Sequence, residues 1–422
     1  METFANVLSI AIPGFLVLII IESLVAKYKG LEVNRPFDTI SSISSGMTFT
    51  LKQLLGLTVI ILSYDWMVGH LALVSLPNTW WVIILAFIGL DFAGYWQHRF
   101  NHEINILWNR HIIHHSSEEF NLACALRQNV SVFLQIYFFL YVPMALIGIP
   151  TEVIAFISPI HFFAQFWYHT RLIDKMGFLE YIIVTPSHHR VHHAINDEYI
   201  DKNYSEIFIV WDKLFGTFQE ELKDVPAVYG TKKPANTWNP LIINFMHVWQ
   251  IIKDAWHTRN WIDKIRIWFM PTGWRPEDVK KKYPIKIVED VYNRPKYASS
   301  YSNIFLAWSW FQFGLSSILF YLLLISIADI SFSTLITAAT FLFFTIFSYT
   351  SLMDRHWSAL LAELTKFICG AFLIASIPEF GPPVNYQLAI QIALLVYMII
   401  SFVLTFYWIK QPFKAKQTSV LD

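Results

Sequence analysis

Residues 80–102 read WWVIILAFIGLDFAGYWQHRFNH. The run Trp80–Trp96 is almost wholly apolar, and a membrane helix needs about 20 such residues. Its one carboxylate is Asp91, which is costly at that depth. If the helix continues past Trp96, His98 and His102 fall on one face, because residues four apart have Cβ atoms about 5–6 Å from one another. A span that runs straight into a pair of imidazoles sets both themes of the chain, the bilayer and histidine.

The whole composition agrees with the first theme. Of 422 residues, 55% are hydrophobic and 15% charged, against about 25% charged in soluble domains. The formal net charge is zero, which gives no reason to expect nucleic acid as a partner. Cys124 and Cys369 stand far apart, so metal chemistry must rest on histidine. We read an all-α polytopic fold with about nine spans. They run near Phe4–Val25, Gly46–Met67, Trp80–Trp96, Val132–Gly148, Val153–Tyr168, Ile304–Ile327, Phe332–Tyr349, Ser358–Ile377 and Leu388–Trp408. The Val132 and Val153 pair, with Pro150 between, reads equally well as a hairpin that does not fully cross.

Cytoplasmic loops collect Lys and Arg. With the N-terminus outside and the C-terminus inside, the inside loops hold 29 of the 31 Lys and Arg. The other two, Lys52 and Lys366, sit near the inner ends of spans, where their side chains are expected to snorkel. The chain divides into a region 1–303, whose long inside segment carries most of the charge, and a hydrophobic block 304–422 with no ligand cluster.

Of 15 histidines, ten lie in 98–115 and 169–193. His98 and His102 form an HxxxH. His111, His114 and His115 form an HxxHH, and so do His189, His192 and His193, preceded by His188. His169 stands alone at the inner end of a span. Helical spacing lets each cluster turn to one metal ion, and eight or more imidazoles suit two neighbouring ions rather than one. Thr185 and Pro186 are start signals for a helix carrying the last cluster. A structural zinc site would be four-coordinate and usually cysteine-rich, unlike this set. His70, His247, His257 and His356 read as ordinary core or surface residues. Asp91, two turns before His98, is placed to hold the second nitrogen of a ligand histidine. Glu103 follows His102, and Glu118 and Glu119 read as a solvated face.

The order HxxxH, HxxHH, a histidine ending a span, then HxxHH resembles the fatty acid hydroxylase and sterol desaturase superfamily. The strings HRFNHEIN, HHSSEEFNLACALRQ, QFWYHT, TPSHHRVHH and IDKNYSEIFIVWDKLFGTF carry the resemblance over about 91–230, and it is nearest to the branch acting on ether lipids of the alkylglycerol type. The resemblance implies a membrane di-iron monooxygenase using O2 on lipid carbons. It implies His98, His102, His111, His114, His115, His169, His189, His192 and His193 as ligands of two iron ions, with His188 a ligand or a neighbour of one. It implies that Glu103 matters for activity, and tetrahydrobiopterin or another reductant as electron donor. Phe120, Trp167 and Tyr168 are candidates for lining a pocket in which a lipid from the bilayer meets the metal. A sterol or fatty acyl desaturase or hydroxylase would keep the same site. A metal transporter would place its ligands near the bilayer midplane rather than at helix ends.

Overall fold

The structure is a computed structural model that describes residues 2–299 and 301–411. Six described helices are long and apolar enough to cross a bilayer. They are α1 (Glu2–Tyr28), α4 (Trp80–Glu103), α8 (Asn303–Ile325), α9 (Phe332–Met353), α10 (Ser358–Ala375) and α11 (Val384–Ile409). Between them lie α2 (Pro36–Leu54), α3 (Tyr64–Leu71), α5 (Thr151–Phe163), α6 (Pro186–His193) and α7 (Pro240–His257). The end of the C-terminal segment, 412–422, lies outside the described residues.

Three expected spans are not single long helices. The run Gly46–Met67 splits, because α2 begins at Pro36 and ends at Leu54, where Gly56 takes φ +62°. Val59–Ile60 then pairs in parallel with Leu134–Gln135. The run Val132–Gly148 breaks into that strand, a 3₁₀ turn over Tyr137–Tyr141 and a short helix Val142–Leu146. Gly148 stops it: φ is +70°, and a Cβ there would overlap the Val74 carbonyl. The third, α5, has 13 residues, about 20 Å of helix against a core of about 30 Å.

Two buried cores position the site. One joins α1 and α2 to the C-terminal helices, through Phe37, Met47, Phe305, Phe320 and Phe341. The other packs α4 on α5, through Ala86, Leu90, Ala93, Val153 and Ile157. The lysines do not snorkel as expected. Lys52 is buried and donates to the Val132 carbonyl. Lys366 is fully buried and pairs with Glu363, with the Ser401 hydroxyl also in reach at 2.7 Å. Both have protein partners inside the fold. At Gly148 the backbone and the crowding act together, so Gly148→Ala should cost about 1–3 kcal/mol and lower the thermal midpoint of the purified protein; an unchanged midpoint would mean the turn is not what ends this segment.

Candidate metal centre

Four segments bring the histidines together. The end of α4 presents His98 and His102. After a turn over Asn105–Trp108, a single helical turn, Ile112–His115, follows His111 and carries His114 and His115. His169 stands six residues beyond α5. Thr185 caps α6, with Pro186 at its first position, as its start signals require.

The nine histidines sort into two groups, with ligand atoms inside each group all within 4.8 Å of one another. His98, His102, His111, His115 and His192 make the first. His114, His169, His189 and His193 make the second. The sequence clusters interleave, so the expectation that each turns to one ion is corrected. In both HxxHH motifs the residues at i and i+4 share a group, and the residue at i+3 crosses to the other. A run of adjacent histidines therefore straddles two sites.

Backbone carbonyls set the ring orientations. Nδ1 lies 2.7 Å from the Tyr204 oxygen in His98, 3.3 Å from that of Arg127 in His114, 3.0 Å from that of Gln165 in His169, and 3.0 Å from that of Lys202 in His192. A ring that donates Nδ1–H to a carbonyl has a bare lone pair on Nε2. These Nε2 atoms converge. His98 and His111 are 2.8 Å apart, His102 and His115 3.2 Å, His169 and His189 2.9 Å, and His114 and His193 3.1 Å. At that range two bare nitrogens repel, and either a proton on one ring's Nε2 or a cation between the rings relieves this. An ion about 2.1 Å from two nitrogens at a right angle holds them about 3 Å apart, so both groups fit a metal. His192 Nε2, buried without a hydrogen-bond partner, fits a ligand atom as well. Burial, reinforced by neighbouring imidazoles, drives His111, His115, His169, His189, His192 and His193 well below the ordinary histidine range and His114 to about 3. The rings are thus neutral, as ligands must be.

The loop 200–218 braces this arrangement. Asp212 is fully buried and accepts the N–H groups of Tyr204 and Ser205, both at 2.8 Å. That fixes the Tyr204 carbonyl on His98. Asp201 and Asn203 take positive φ, which short polar side chains tolerate, and Asp201 lies 3.6 Å from His102 Nδ1.

Other expected residues stand elsewhere. Asp91 does not hold a histidine of either group. It is fully buried and binds His161 Nε2 at 2.9 Å, the N–H groups of Ile207 and Phe208, and the Trp211 indole. Seven residues place it on the His98 face, but its partner comes from α5. Glu103 is 41% exposed and pairs with Arg99 at 2.9 Å. His188 lies outside both groups; its Nδ1 accepts the Thr185 N–H. Glu118 and Glu119 are not a solvated face. Glu118 accepts the Tyr297 N–H, and Glu119 is buried against Lys296 and Arg171, because the 294–297 segment folds over them. Phe120 is buried against His169 and His193. Trp167 packs on Tyr168.

Both groups face one cavity of about 1180 Å³. Its wall includes His98, His111, His114, His169, His189 and Tyr168, and, further off, residues of α1, α2, α5 and α8. The C-terminal block thus contributes to the same space. Reading the sequence alone missed His161, Gln165 and Glu206 on this wall. Glu206 lay inside the string IDKNYSEIFIVWDKLFGTF, and nothing in its spacing marked it.

The fatty acid hydroxylase family model matches residues 83–217, a stretch that contains every histidine of both groups. Alkylglycerol monooxygenase of Homo sapiens is 37% identical over 368 residues, 86% of this chain and 81% of the human protein. That of Danio rerio is 33% identical over 414 residues, 96% and 89%. The chain belongs to the alkylglycerol monooxygenase family. Ornithine lipid hydroxylase OlsE of Rhizobium tropici is 30% identical over 148 residues, 34% of this chain and 44% of that protein. No solved structure matches. The chain is therefore a metal-dependent membrane monooxygenase, and its apolar helices make it an integral membrane protein.

Two expectations test the geometry. His111→Ala and His114→Ala come from one motif but from different groups, so each should lower bound metal by about one ion per chain and the double variant by about two; loss of all metal from His111→Ala alone would mean a single shared site. Protonation opposes both the neutral burial of these rings and metal binding. Folding stability should be full above about pH 6.5, the unfolded histidine value, and fall progressively below it; stability unchanged at pH 5 would contradict the depressed values.

Proposed function

We propose that this chain is a di-iron enzyme that uses O2 to hydroxylate the carbon beside the ether oxygen of an alkylglycerol. The observation that carries the reading is the division of nine histidines into groups of five and four facing one cavity. The five-histidine group would hold one iron and the four-histidine group the other. Bound there, iron supplies the reduction of O2 to a species able to take hydrogen from an unactivated C–H bond. One oxygen atom enters that bond and the other leaves as water, with two electrons and two protons from tetrahydrobiopterin or another reductant. The product is a hemiacetal, which separates into a fatty aldehyde and glycerol.

The chain's own residues do the rest. Carbonyls of residues 127, 165, 202 and 204 keep the rings in register, which avoids reorganisation during turnover. Tyr168, with its ring 4.4 Å from that of His189, closes the cavity beside the second group. Met47, Phe15 and Phe320 offer an apolar surface to the alkyl chain. We read residues 1–303 as the catalytic region and 304–422 as a block that completes the cavity wall. Glu103 and His188 remain candidates for tuning the site from outside the two groups, and Asp91 for fixing the loop around it.

The metal centre is assigned to the cytoplasmic side, with the N-terminus outside and the C-terminus inside. The charge tally supports this; the assignment takes the stretch from α2 through α3 as one crossing made without a single long helix, and the hairpin from Tyr137 to Phe163 as returning to the side it left. In a chain with Cys124 and Cys369 replaced, cysteines at Ser75 and Gly381 should react with an impermeant reagent added to intact cells, and one at Lys232 should not. Labelling at Lys232 alone would reverse the orientation. Purified protein given 1-O-hexadecylglycerol, O2 and tetrahydrobiopterin should release hexadecanal; a hydroxylated or desaturated sterol or acyl product, with no aldehyde from the ether, would move the chain to the alternative substrate class.

A further inference from the structure

The two histidine groups leave one acid on the cavity wall without a task. Glu206 sits in the loop after α6, and its carboxyl lies against α4 at Gly94, four residues and thus about 6 Å along the helix before His98. A Cβ on Gly94 would overlap that carboxyl, and its three nearest atoms would all belong to Glu206. Glycine in the middle of a membrane helix here leaves room for an acid from another segment.

The carboxyl is only partly used by the protein. Gln165 donates to Oε2 at 3.2 Å, and His161 Nδ1 lies 3.7 Å from the same oxygen. His161 already has a carboxylate, Asp91, at 2.9 Å on its other nitrogen. Oε1 accepts no hydrogen bond among the described residues. The Glu206 side chain is 18% exposed and lines the cavity, so its free oxygen has a route to a ligand there. An acceptor facing the cavity without a protein donor makes a donor on a bound molecule favourable.

Two links tie Glu206 to the metal groups. Gln165, whose amide holds the carboxyl, accepts from His169 Nδ1 through its carbonyl. Tyr204, two residues before Glu206, does the same for His98. Much of the remaining wall is apolar, from Leu8 and Phe15 of α1 to Met47 of α2 and Phe320 of α8. Arg110, a cation on the wall, is occupied by the Leu134 carbonyl, the Gln135 side chain and the Tyr137 ring. The cavity therefore joins a hydrogen-bond acceptor near the histidines to an apolar lining, and suits a molecule with a hydroxylated head and an alkyl chain.

We propose that Glu206, oriented by Gln165 and His161, accepts a hydrogen bond from a free hydroxyl of the lipid head and so positions the ether carbon at the histidine groups. Glu206 is then a positioning and selecting residue. It favours hydroxylated ether lipids, because a fully esterified head has no hydroxyl to offer. The inference rests on the ether-lipid reading for the kind of molecule in the cavity.

Binding tests it without turnover. The full-length, metal-loaded protein is titrated with 1-O-hexadecylglycerol and with hexadecyl methyl ether, which keeps the chain and the ether but has no hydroxyl. Glu206→Leu should weaken the alkylglycerol about fivefold or more, the effect of losing one hydrogen bond, and leave the methyl ether within about twofold. Glu206→Gln, which retains an acceptor, should fall between. Gly94→Ala, which displaces the carboxyl without removing it, should act in the same direction as Glu206→Leu, with metal content unchanged as the folding control. Equal loss on both ligands, or no loss on either, would make Glu206 a structural acid and overturn the proposal. Aldehyde release from wild type is scored separately. Discrimination in binding with no aldehyde would sink the ether-cleaving function and leave the anchor; aldehyde without discrimination would do the reverse.

Discussion

The centre depends on hydrogen bonds made on the far side of four of its rings. When a backbone carbonyl takes Nδ1–H, the tautomer is decided and Nε2 must face inward as a bare acceptor. Four rings spread over α4, the 111–115 turn, the loop after α5, and α6 are held this way. The result is a pocket of converging ring nitrogens suited to cations. Metal bound there would couple to local folding.

Buried carboxylates carry the same logic outward. Asp212 collects two backbone N–H groups and the Thr217 hydroxyl, and Asp91 collects two backbone N–H groups, an indole and an imidazole. Each would be expensive to bury alone, and each converts that cost into a fixed loop. Asp91 does so from within a membrane helix. The loop from Lys202 to Trp211 is tied to α4 at one end and supplies carbonyls to His192 and His98 at the other.

The membrane character and the nine histidines were legible in the sequence because both depend on local pattern. Hydropathy picked out the six long helices. It overstated Gly46–Met67 and Val132–Gly148, since an apolar run says nothing of where Gly56 or Gly148 turns the chain. Helical spacing showed that His98 and His102 share a face. It did not show that His114 leaves its neighbours for another group, because that depends on where α6 docks. Asp91 was recognised as an acid with a purpose, but its partner His161 lies 70 residues away. Glu206 had no local signature at all. Its meaning comes from Gly94 on another element, and such pairs become visible only when the chain is folded.

The claim on which everything rests is that two ions occupy the two histidine groups. Anomalous scattering at the iron edge from crystals of the iron-loaded protein measures this directly. The account requires two peaks, one among His98, His102, His111, His115 and His192, the other among His114, His169, His189 and His193. A single peak, or a peak outside both groups, would contradict it.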